Sequence, residues 1–188
     1  MDEFFLAELA ELEQRGLLRD PDDGAQRERA RAAAAALGLG LLDASSNDYL
    51  GLAAASVSRE TLSGWQGLPA GSGASRLIHG TRGSHLELEH ELARWVGLDS
   101  ALLFTSGYAA NVGLVAALGT ADSVILSDAL NHASLIDGAR LSRARVRVVP
   151  HLDLAAAERE LATNAGRRTW VVTESYFSMD GDLSLIHI

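Results

Sequence analysis

The sequence predicts an α/β fold with a mostly parallel sheet and flanking helices, preceded by a helical N-terminal segment. Two observations lead to this prediction. Short apolar segments alternate with helical ones through the second half of the chain, which is the order that crossovers between parallel strands produce. Residues 1–40, in contrast, carry only helical patterns and breaks, so they are expected to form a separate helical segment.

The N-terminal segment is expected to hold two helices. Leucines recur at three- and four-residue steps through residues 1–20, with glutamates between them, which predicts an amphipathic helix. Pro21 and Gly24 interrupt this pattern before an alanine-rich stretch, residues 27–37, whose composition favours a second helix. Residues 41–52 are typical of a short strand and a turn.

A loop and a helix are expected next. Residues 66–83 contain five glycines, too many for a packed element. Ser84 followed by Glu87 has the spacing of a capping box, which predicts a helix over residues 84–96 that ends at Gly97.

The rest of the chain alternates between strands and helices. Strands are expected over residues 101–104, 123–126, 146–149 and 169–173. Helices are expected over residues 108–118, 133–141 and 153–162, with Asp153 as the N-cap of the third. The first of these helices is apolar on most sides, so we expect it to be buried. Open parallel sheets bind ligands beyond the carboxyl ends of their strands, which directs attention to the residues just after each strand.

Composition excludes several classes of function. The 16 basic and 25 acidic residues give a net charge of −9, unfavourable for binding nucleic acid or anionic membranes. Cysteine is absent, which rules out disulfides and thiolate metal sites. The chain shows no signal peptide and no apolar run of about 18 residues, so a cytoplasmic protein is expected. His85 and His90 are spaced too far around one helix to form a metal site, and none is predicted.

Ser106, Gly107 and Tyr108 lie between a predicted strand and a predicted helix. The first N–H groups of a helix have no partner within it and can bind a phosphate. Gly107 would let a ligand approach the backbone, Ser106 adds a hydroxyl and Tyr108 adds a ring. An ordinary strand–helix turn is the alternative explanation.

Two further polar segments follow strands. His132 begins a predicted helix after Asp128, where it could stack on a ligand or transfer protons, or simply cap the helix. Residues 174–182 bring three carboxylates and several hydroxyls after the last strand, although a polar loop would look the same. Residues 71–76 lack the preceding strand and third glycine of a dinucleotide-binding motif, so a mobile active-site loop or a plain connector is favoured.

Read together, these segments carry a recognisable series of motifs. They are Ser-Asn-Asp-Tyr-Leu-Gly-Leu at residues 46–52, Gly-Ser-Gly-Ala-Ser-Arg at 71–76, His-Gly-Thr at 79–81, His85 with Leu88 and Glu89, Ser-Gly-Tyr-Ala-Ala-Asn at 106–111, Ser-Asp at 127–128 with Asn-His-Ala-Ser at 131–134, and Thr-Glu-Ser-Tyr-Phe-Ser-Met-Asp-Gly-Asp at 173–182. In this order they resemble the α-oxoamine synthases, pyridoxal-phosphate enzymes with an aspartate-aminotransferase-like domain. Residues 41–183 would then be the first part of the large cofactor-binding domain.

The resemblance implies a set of site residues. Cofactor contacts would fall on Ser106, Gly107, Tyr108, His132, Glu174 and Ser178. His132 would stack on the pyridine ring and be the catalytic group in this chain, with Glu174 orienting the site. Asn47, Ser72 and Ser75 would lie near the substrate, at or near the surface between the subunits of a homodimer.

The family joins an amino acid to an acyl thioester and releases carbon dioxide. The motifs at residues 71–76 and 174–182 most resemble members that use L-alanine and a pimeloyl thioester. Members that use glycine share much of the His132 segment and are the alternative. A binding module without catalysis, or a structural remnant without a ligand, are the alternatives outside the enzymes.

Two departures from the family pattern are important. The region of residues 15–31 does not show the arginine that binds the substrate carboxylate in this family, so no residue is assigned to that role. All 16 basic residues are arginines, so the lysine that binds the cofactor covalently in this family is absent, as is the aspartate that pairs with the pyridine nitrogen. We therefore expect an inactive N-terminal part of a longer enzyme. Residues 183–188 match what a common sequencing-library transposon end encodes, so residues 184–188 are expected to be a non-native tail.

Overall fold

The computed structural model describes residues 3–18, 24–40, 47–48, 50–67 and 69–184. Its internal contacts divide the chain into two units, Met1–Leu68 and Pro69–Ile188. The domain boundaries that the sequence indicates near residues 40 and 183 stay predictions. Residues 185–188 of the expected tail lie outside the described residues.

The first unit is helical where it is described. Helix α1 spans Glu3–Gln14 and α2 spans Ala25–Ala36, which confirms the two predicted helices, although α1 ends before residue 20. A 3₁₀ turn at Leu52–Ala54 and a short helix α3, Arg59–Ser63, follow. The strand expected within residues 41–52 falls largely outside the described residues.

The second unit begins with the glycine-rich loop, which the sequence predicts correctly except for one turn of π-helix at Arg76–Gly80. Gly80 is buried where this turn closes on the preceding loop. A Cβ atom on Gly80 would lie 1.8 Å from the carbonyl oxygen of Ala74, well inside van der Waals contact. Only glycine therefore allows the π-turn to pack against the loop.

Helix α4, Gly83–Val96, confirms the predicted helix and ends at Gly97, which has a φ of 74°. The predicted capping box of Ser84 and Glu87 is wrong, because the helix begins at Gly83, with Arg82 as the N-cap residue. The Nδ1 atom of His85 accepts a hydrogen bond of 2.9 Å from the backbone N–H of Arg82. An imidazole thus takes the place expected of the glutamate.

Three parallel strands form the sheet, in the order β2–β1–β3. They are β1 at Val124–Asp128, β2 at Arg145–Val149 and β3 at Thr169–Val172. The strands alternate with α5 at Gly107–Leu118, α6 at Ala133–Leu141 and α7 at Leu154–Thr163. This arrangement confirms the α/β class, and Asp153 caps α7 as predicted by accepting a bond of 2.8 Å from the N–H of Ala156.

The core lies on both faces of β1, the central strand. Val124 and Leu126 pack with Val149 and Ala156 on one face, while Ile125 packs with α5 and α6 residues on the other. Successive side chains of a strand point to opposite faces, so a strand covered on both sides carries a continuous apolar run. That run is the reason β1 can be predicted from the sequence.

The strand expected at residues 101–104 is absent from the described structure. The N–H of Leu103 donates to Glu89 at 2.7 Å, and the carbonyl of Leu103 accepts from Arg76 at 3.3 Å. The backbone N–H and carbonyl of Leu103 are therefore hydrogen-bonded to side chains and not to a neighbouring strand.

Helix α5 was expected to be buried, and this is wrong for most of its surface. Val115 is buried, but Leu114 is 57% exposed. Helix α6 packs against α5, but Leu118 is also partly exposed among the described residues.

A two-stranded antiparallel hairpin follows β3, and the sequence did not predict its strands. Strand β4, Tyr176–Phe177, pairs with β5, Asp182–Leu183, and the turn between them contains Ser178 and Gly181. Within the described ranges, no helix combines the length and apolar character needed to cross a membrane.

Candidate active site

The candidate site lies where β1 and β3 end, at one edge of the sheet. Because the strands are parallel, their carboxyl ends share that edge. The segment after β1 leads through Asn131 to His132, and the segment after β3 begins with Thr173 and Glu174. Asn131 joins the two ends, since its Nδ2 donates to the carbonyl of Val172 at 2.8 Å.

His132 is held on both its backbone and its ring. Its backbone N–H donates a short hydrogen bond to the carboxylate of Glu174. Its Nδ1 lies 2.7 Å from the Oγ atom of Ser134 and accepts a bond of 3.2 Å from the Ser134 N–H. Asn111 of α5 donates to the same Oγ at 3.0 Å. These contacts hold the Nδ1 edge of the ring at the start of α6, and His132 as a whole is exposed.

Ser106 and Gly107 form the predicted turn at the start of α5. The Oγ atom of Ser106 accepts a bond of 3.1 Å from the N–H of Ala109, so the hydroxyl caps the helix. This bond does not use the N–H groups of Gly107 and Tyr108. A Cβ atom on Gly107 would meet nothing within 4 Å, so the space over the turn is open. The turn is accessible to an anionic ligand.

Tyr108 connects this turn to His132. The two ring centroids are 6.3 Å apart, with the planes at 74° to each other. The Tyr108 hydroxyl donates a short hydrogen bond to Asp137 of α6. That bond, with burial and the carboxylate charge, raises the pKa of Tyr108 above its ordinary value. Tyr108 is therefore a neutral ring beside the open turn.

The loop at residues 71–76 is anchored by an ion pair. Arg76 donates to both carboxylate oxygens of Glu89, at 2.6 and 3.0 Å, a bidentate geometry that fixes both side chains. The Arg76 hydrogen bond, with the N–H of Leu103, lowers the pKa of Glu89 to about 2. Glu89 is thus charged at any pH where the protein functions, and it ties the loop to the segment that leads into Ser106.

His151, the second residue after β2, lies between two carboxylates. Its Nδ1 is 3.0 Å from Oδ1 of Asp128, and its Nε2 is 3.4 Å from Oδ2 of Asp182. Burial lowers the pKa of His151, but the hydrogen bonds and charges of the two aspartates outweigh it and raise that pKa above the ordinary value.

The structure brings only part of the expected site together. Tyr108, His132 and Glu174 converge at the sheet edge, with the Ser106–Gly107 turn next to Tyr108. The contacts of Ser72 and Ser75 described here stay within their own region: Ser72 donates to the carbonyl of Ala74 at 3.2 Å, and the carbonyl of Ser75 accepts within the π-turn. Ser178 is exposed in the hairpin turn, and Asn47 belongs to the first unit. The site roles of all nine residues stay predictions.

Several supporting residues could not be assigned from the motifs. Ser134, Asn111 and Asp137 act on His132 and Tyr108 across two helices, so their roles depend on how α5 packs against α6. Asp128 and His151 could be noticed in the sequence, since Asp128 is the polar last residue of β1 and His151 is the second residue after the neighbouring parallel strand β2. Their pairing depends on the register between those strands, which places Asp128 opposite Val149.

A family model supports the motif-based assignment. The model described as aminotransferase class I and II matches residues 40–184, most of the chain. The chain therefore belongs to the class I and II aminotransferase family.

Curated relatives define the resemblance further. The chain is 48% identical over 183 residues to the 8-amino-7-oxononanoate synthase of Mycolicibacterium smegmatis, covering 95% of this chain and 45% of that protein. It is 43% identical over 190 residues to 8-amino-7-oxononanoate synthase 1 of a Polaromonas species, covering 98% and 45%. These relatives confirm the α-oxoamine synthase resemblance. The chain spans a little under half the length of each.

Solved structures agree with the sequence relatives. The 8-amino-7-oxononanoate synthase of Francisella tularensis matches with a TM-score of 0.62 and 27% identity, over 79% of this chain and 41% of that one. A serine palmitoyltransferase from S. paucimobilis, with a bound PLP–myriocin aldimine, matches with a TM-score of 0.63 and 28% identity, over 67% and 32%.

Proposed function

We propose that this chain forms the cofactor-holding part of a pyridoxal-phosphate-dependent acyltransferase. The enzyme would condense L-alanine with a pimeloyl thioester, carried on CoA or acyl-carrier protein, to form 8-amino-7-oxononanoate for biotin biosynthesis. The observation that carries the proposal is the meeting of the α5 turn with the fixed His132 ring at one sheet edge. The similarity to 8-amino-7-oxononanoate synthases supports the choice of reaction.

The side chains at this edge fit pyridoxal phosphate. The start of α5 offers N–H groups of Gly107 and Tyr108, the Ser106 hydroxyl and open space, which suit a phosphate dianion. The exposed ring of His132 is a flat surface for a pyridine ring. Ser178, exposed in the β4–β5 turn, is proposed to donate its hydroxyl to the cofactor from the hairpin side. Glu174 orients His132 by accepting a hydrogen bond from its backbone N–H.

The chemistry divides between cofactor and chain. Pyridoxal phosphate, when bound, withdraws electrons from the amino acid's α-carbon. His132 holds or moves a proton at Nε2, because Nδ1 accepts from Ser134 and the neutral ring then carries its proton on Nε2. Tyr108 keeps its own proton through Asp137 and bounds the site on the α5 side.

The remaining roles complete the proposal. Asn47, Ser72 and Ser75 contact the substrate, in the homodimer that the family resemblance implies, and the protein acts in the cytoplasm. The lysine that binds the cofactor covalently would come from a part of the enzyme not represented in this sequence, since all basic residues here are arginines.

Carbon dioxide release from paired substrates tests the proposed reaction. The test uses a chimaeric protein, the joined enzyme, in which residues 1–183 are fused to the part of the M. smegmatis relative that lies beyond the matched region. We expect faster release from L-alanine with a pimeloyl thioester than from glycine with acetyl- or succinyl-CoA. The C-terminal part alone is the control and should release none. A preference for glycine would assign the chain to a glycine-using member, and no release from any pair would contradict the condensing activity.

A further inference from the structure

His151 joins two loops that the proposed function places around the cofactor. Both of its ring nitrogens face carboxylates, Asp128 on one side and Asp182 on the other. The ring also meets Phe177 edge-on, with centroids 4.4 Å apart and planes at 72°. Only 15% of the His151 side chain is exposed, and 13% of that of Asp128. The ring is therefore enclosed among groups that fix its position.

The arrangement favours a charged ring. A neutral imidazole has one N–H donor and one acceptor nitrogen, whereas the imidazolium has two donors. With a neutral ring, one nitrogen lone pair would face a carboxylate oxygen and repel it. The two ring nitrogens point in opposite directions and cannot bind one ion, and no group suited to a metal ion occurs among the described residues.

Each carboxylate belongs to a segment with a proposed role. Oδ1 of Asp128 also accepts a bond of 2.8 Å from the N–H of Leu130, which shapes the loop that leads to His132. Asp182 pairs with Phe177 in the β4–β5 hairpin, whose turn carries Ser178. The His151 ring thus lies between the His132 loop and the Ser178 hairpin.

The backbone beside His151 is strained. Leu152 has a φ of 55°, and it is the one residue other than glycine with a positive φ among the described residues. A bulky residue in this conformation persists only where its surroundings hold it there. The His151 contacts supply such a restraint, since they fix the preceding residue on both sides.

We propose that His151 is a positioning residue whose charged ring fastens the Ser178 hairpin to the His132 loop, and whose deprotonation releases the hairpin. The proposal relies on the proposed function only for what Ser178 and His132 do. The fastening itself is a property of this chain and can be measured without the cofactor.

The direction of the pH dependence follows from the charges. Asp128 and Asp182 face the ring, while Asp153 is turned away to cap α7. The aspartates raise the pKa of His151 above its ordinary value. The fastening is therefore complete below the ordinary value of about 6.5 and is lost as the pH rises through the raised pKa.

Nuclear magnetic resonance of the 188-residue chain tests the fastening directly. The His151 ring is expected to titrate with a midpoint above about 6.5, and the amide signals of Ser178 and Gly181 should move with the same midpoint. In His151→Gln those amide signals should no longer titrate. In Asp182→Asn the His151 midpoint should fall. His90→Gln, a change at an exposed histidine on α4, is the matched control and should leave all three signals unchanged.

The outcomes separate this proposal from the proposed function. Ser178 and Gly181 signals that ignore the His151 titration would overturn the fastening, as would a His151 midpoint below the ordinary value. In the joined enzyme, kcat should fall as the pH rises through the raised pKa of His151. His151→Gln should lower kcat by up to about a hundredfold, as expected for a misplaced contact group, and abolish that fall, with little change in KM. If the amide signals follow His151 but the joined enzyme releases no carbon dioxide, the fastening stands and the proposed function fails.

Discussion

Replacing His132 with alanine in the joined enzyme is expected to lower the condensation rate about 10²–10⁴-fold, the usual contribution of a general acid–base group. The ring is the only part of His132 that the substitution removes. Its backbone N–H still donates to Glu174, so the loop should keep its path. The loss should therefore appear in kcat.

The measurement is carbon dioxide release together with the amount of cofactor that stays bound after gel filtration. We expect most of the cofactor to stay bound, because the substitution removes the surface for the pyridine ring but leaves the phosphate contacts on α5. His90→Ala on α4 removes an exposed histidine away from the sheet edge and should behave like the unmodified enzyme. Turnover of His132→Ala within about threefold of that control would contradict the proton-transfer role.

Replacing Gly107 with aspartate is expected to weaken cofactor retention by about tenfold to a hundredfold. The new carboxylate would enter the open space over the α5 turn and repel the phosphate there. It would also use the N–H groups and the helix dipole that otherwise attract the phosphate. The measurement is the dissociation constant for pyridoxal phosphate, determined by titration of the apo joined enzyme.

A matched substitution separates this effect from a general change in charge. Gly83 is the first residue of α4, as Gly107 is of α5, and a Cβ atom there also meets nothing within 4 Å. Gly83→Asp adds the same charge at the same position of a helix, so it should leave cofactor affinity unchanged. Equal affinities of the two variants would show that the phosphate does not bind at the α5 turn.

The elements that the sequence predicts well are those whose pattern is local. Strand β1 is a continuous apolar run because both its faces are covered. The start of α7 is predicted by Asp153, which caps it. The β4 and β5 strands have two residues each, too short to show any alternation. Only the turn between them could be predicted from the sequence, because Asp180 and Gly181 are typical turn residues.

The errors arise where a distant residue decides the local structure. Residues 101–104 look like a strand, but Glu89 and Arg76 take the backbone groups of Leu103. The start of α4 depends on His85 accepting from Arg82, a role usually filled by glutamate or glutamine. The apolar surface of α5 predicts burial, yet Leu114 and Leu118 stay partly exposed in the described part of the chain.

The site shows the same division. The positions of His132, Glu174 and the Ser106–Tyr108 turn beside strand ends and helix starts could be predicted, because each closely follows a strand or begins a helix; their roles in the site stay predictions. Ser134, Asp137 and His151 act through contacts that form only once α6 and β2 are in place. Motifs indicate which residues are candidates for meeting a ligand, whereas the packed structure is needed to identify the residues that hold those candidates in place.

The central claim is that residues 1–183 hold pyridoxal phosphate without binding it covalently. Borohydride reduction of the joined enzyme, followed by mass analysis of its peptides, tests it most directly, because reduction makes a lysine–cofactor link permanent. We predict one pyridoxyl group per chain, attached within the C-terminal part, and none on that part when residues 1–183 are absent. A pyridoxyl group on a side chain of residues 1–183, or undiminished labelling of the C-terminal part alone, would contradict the claim.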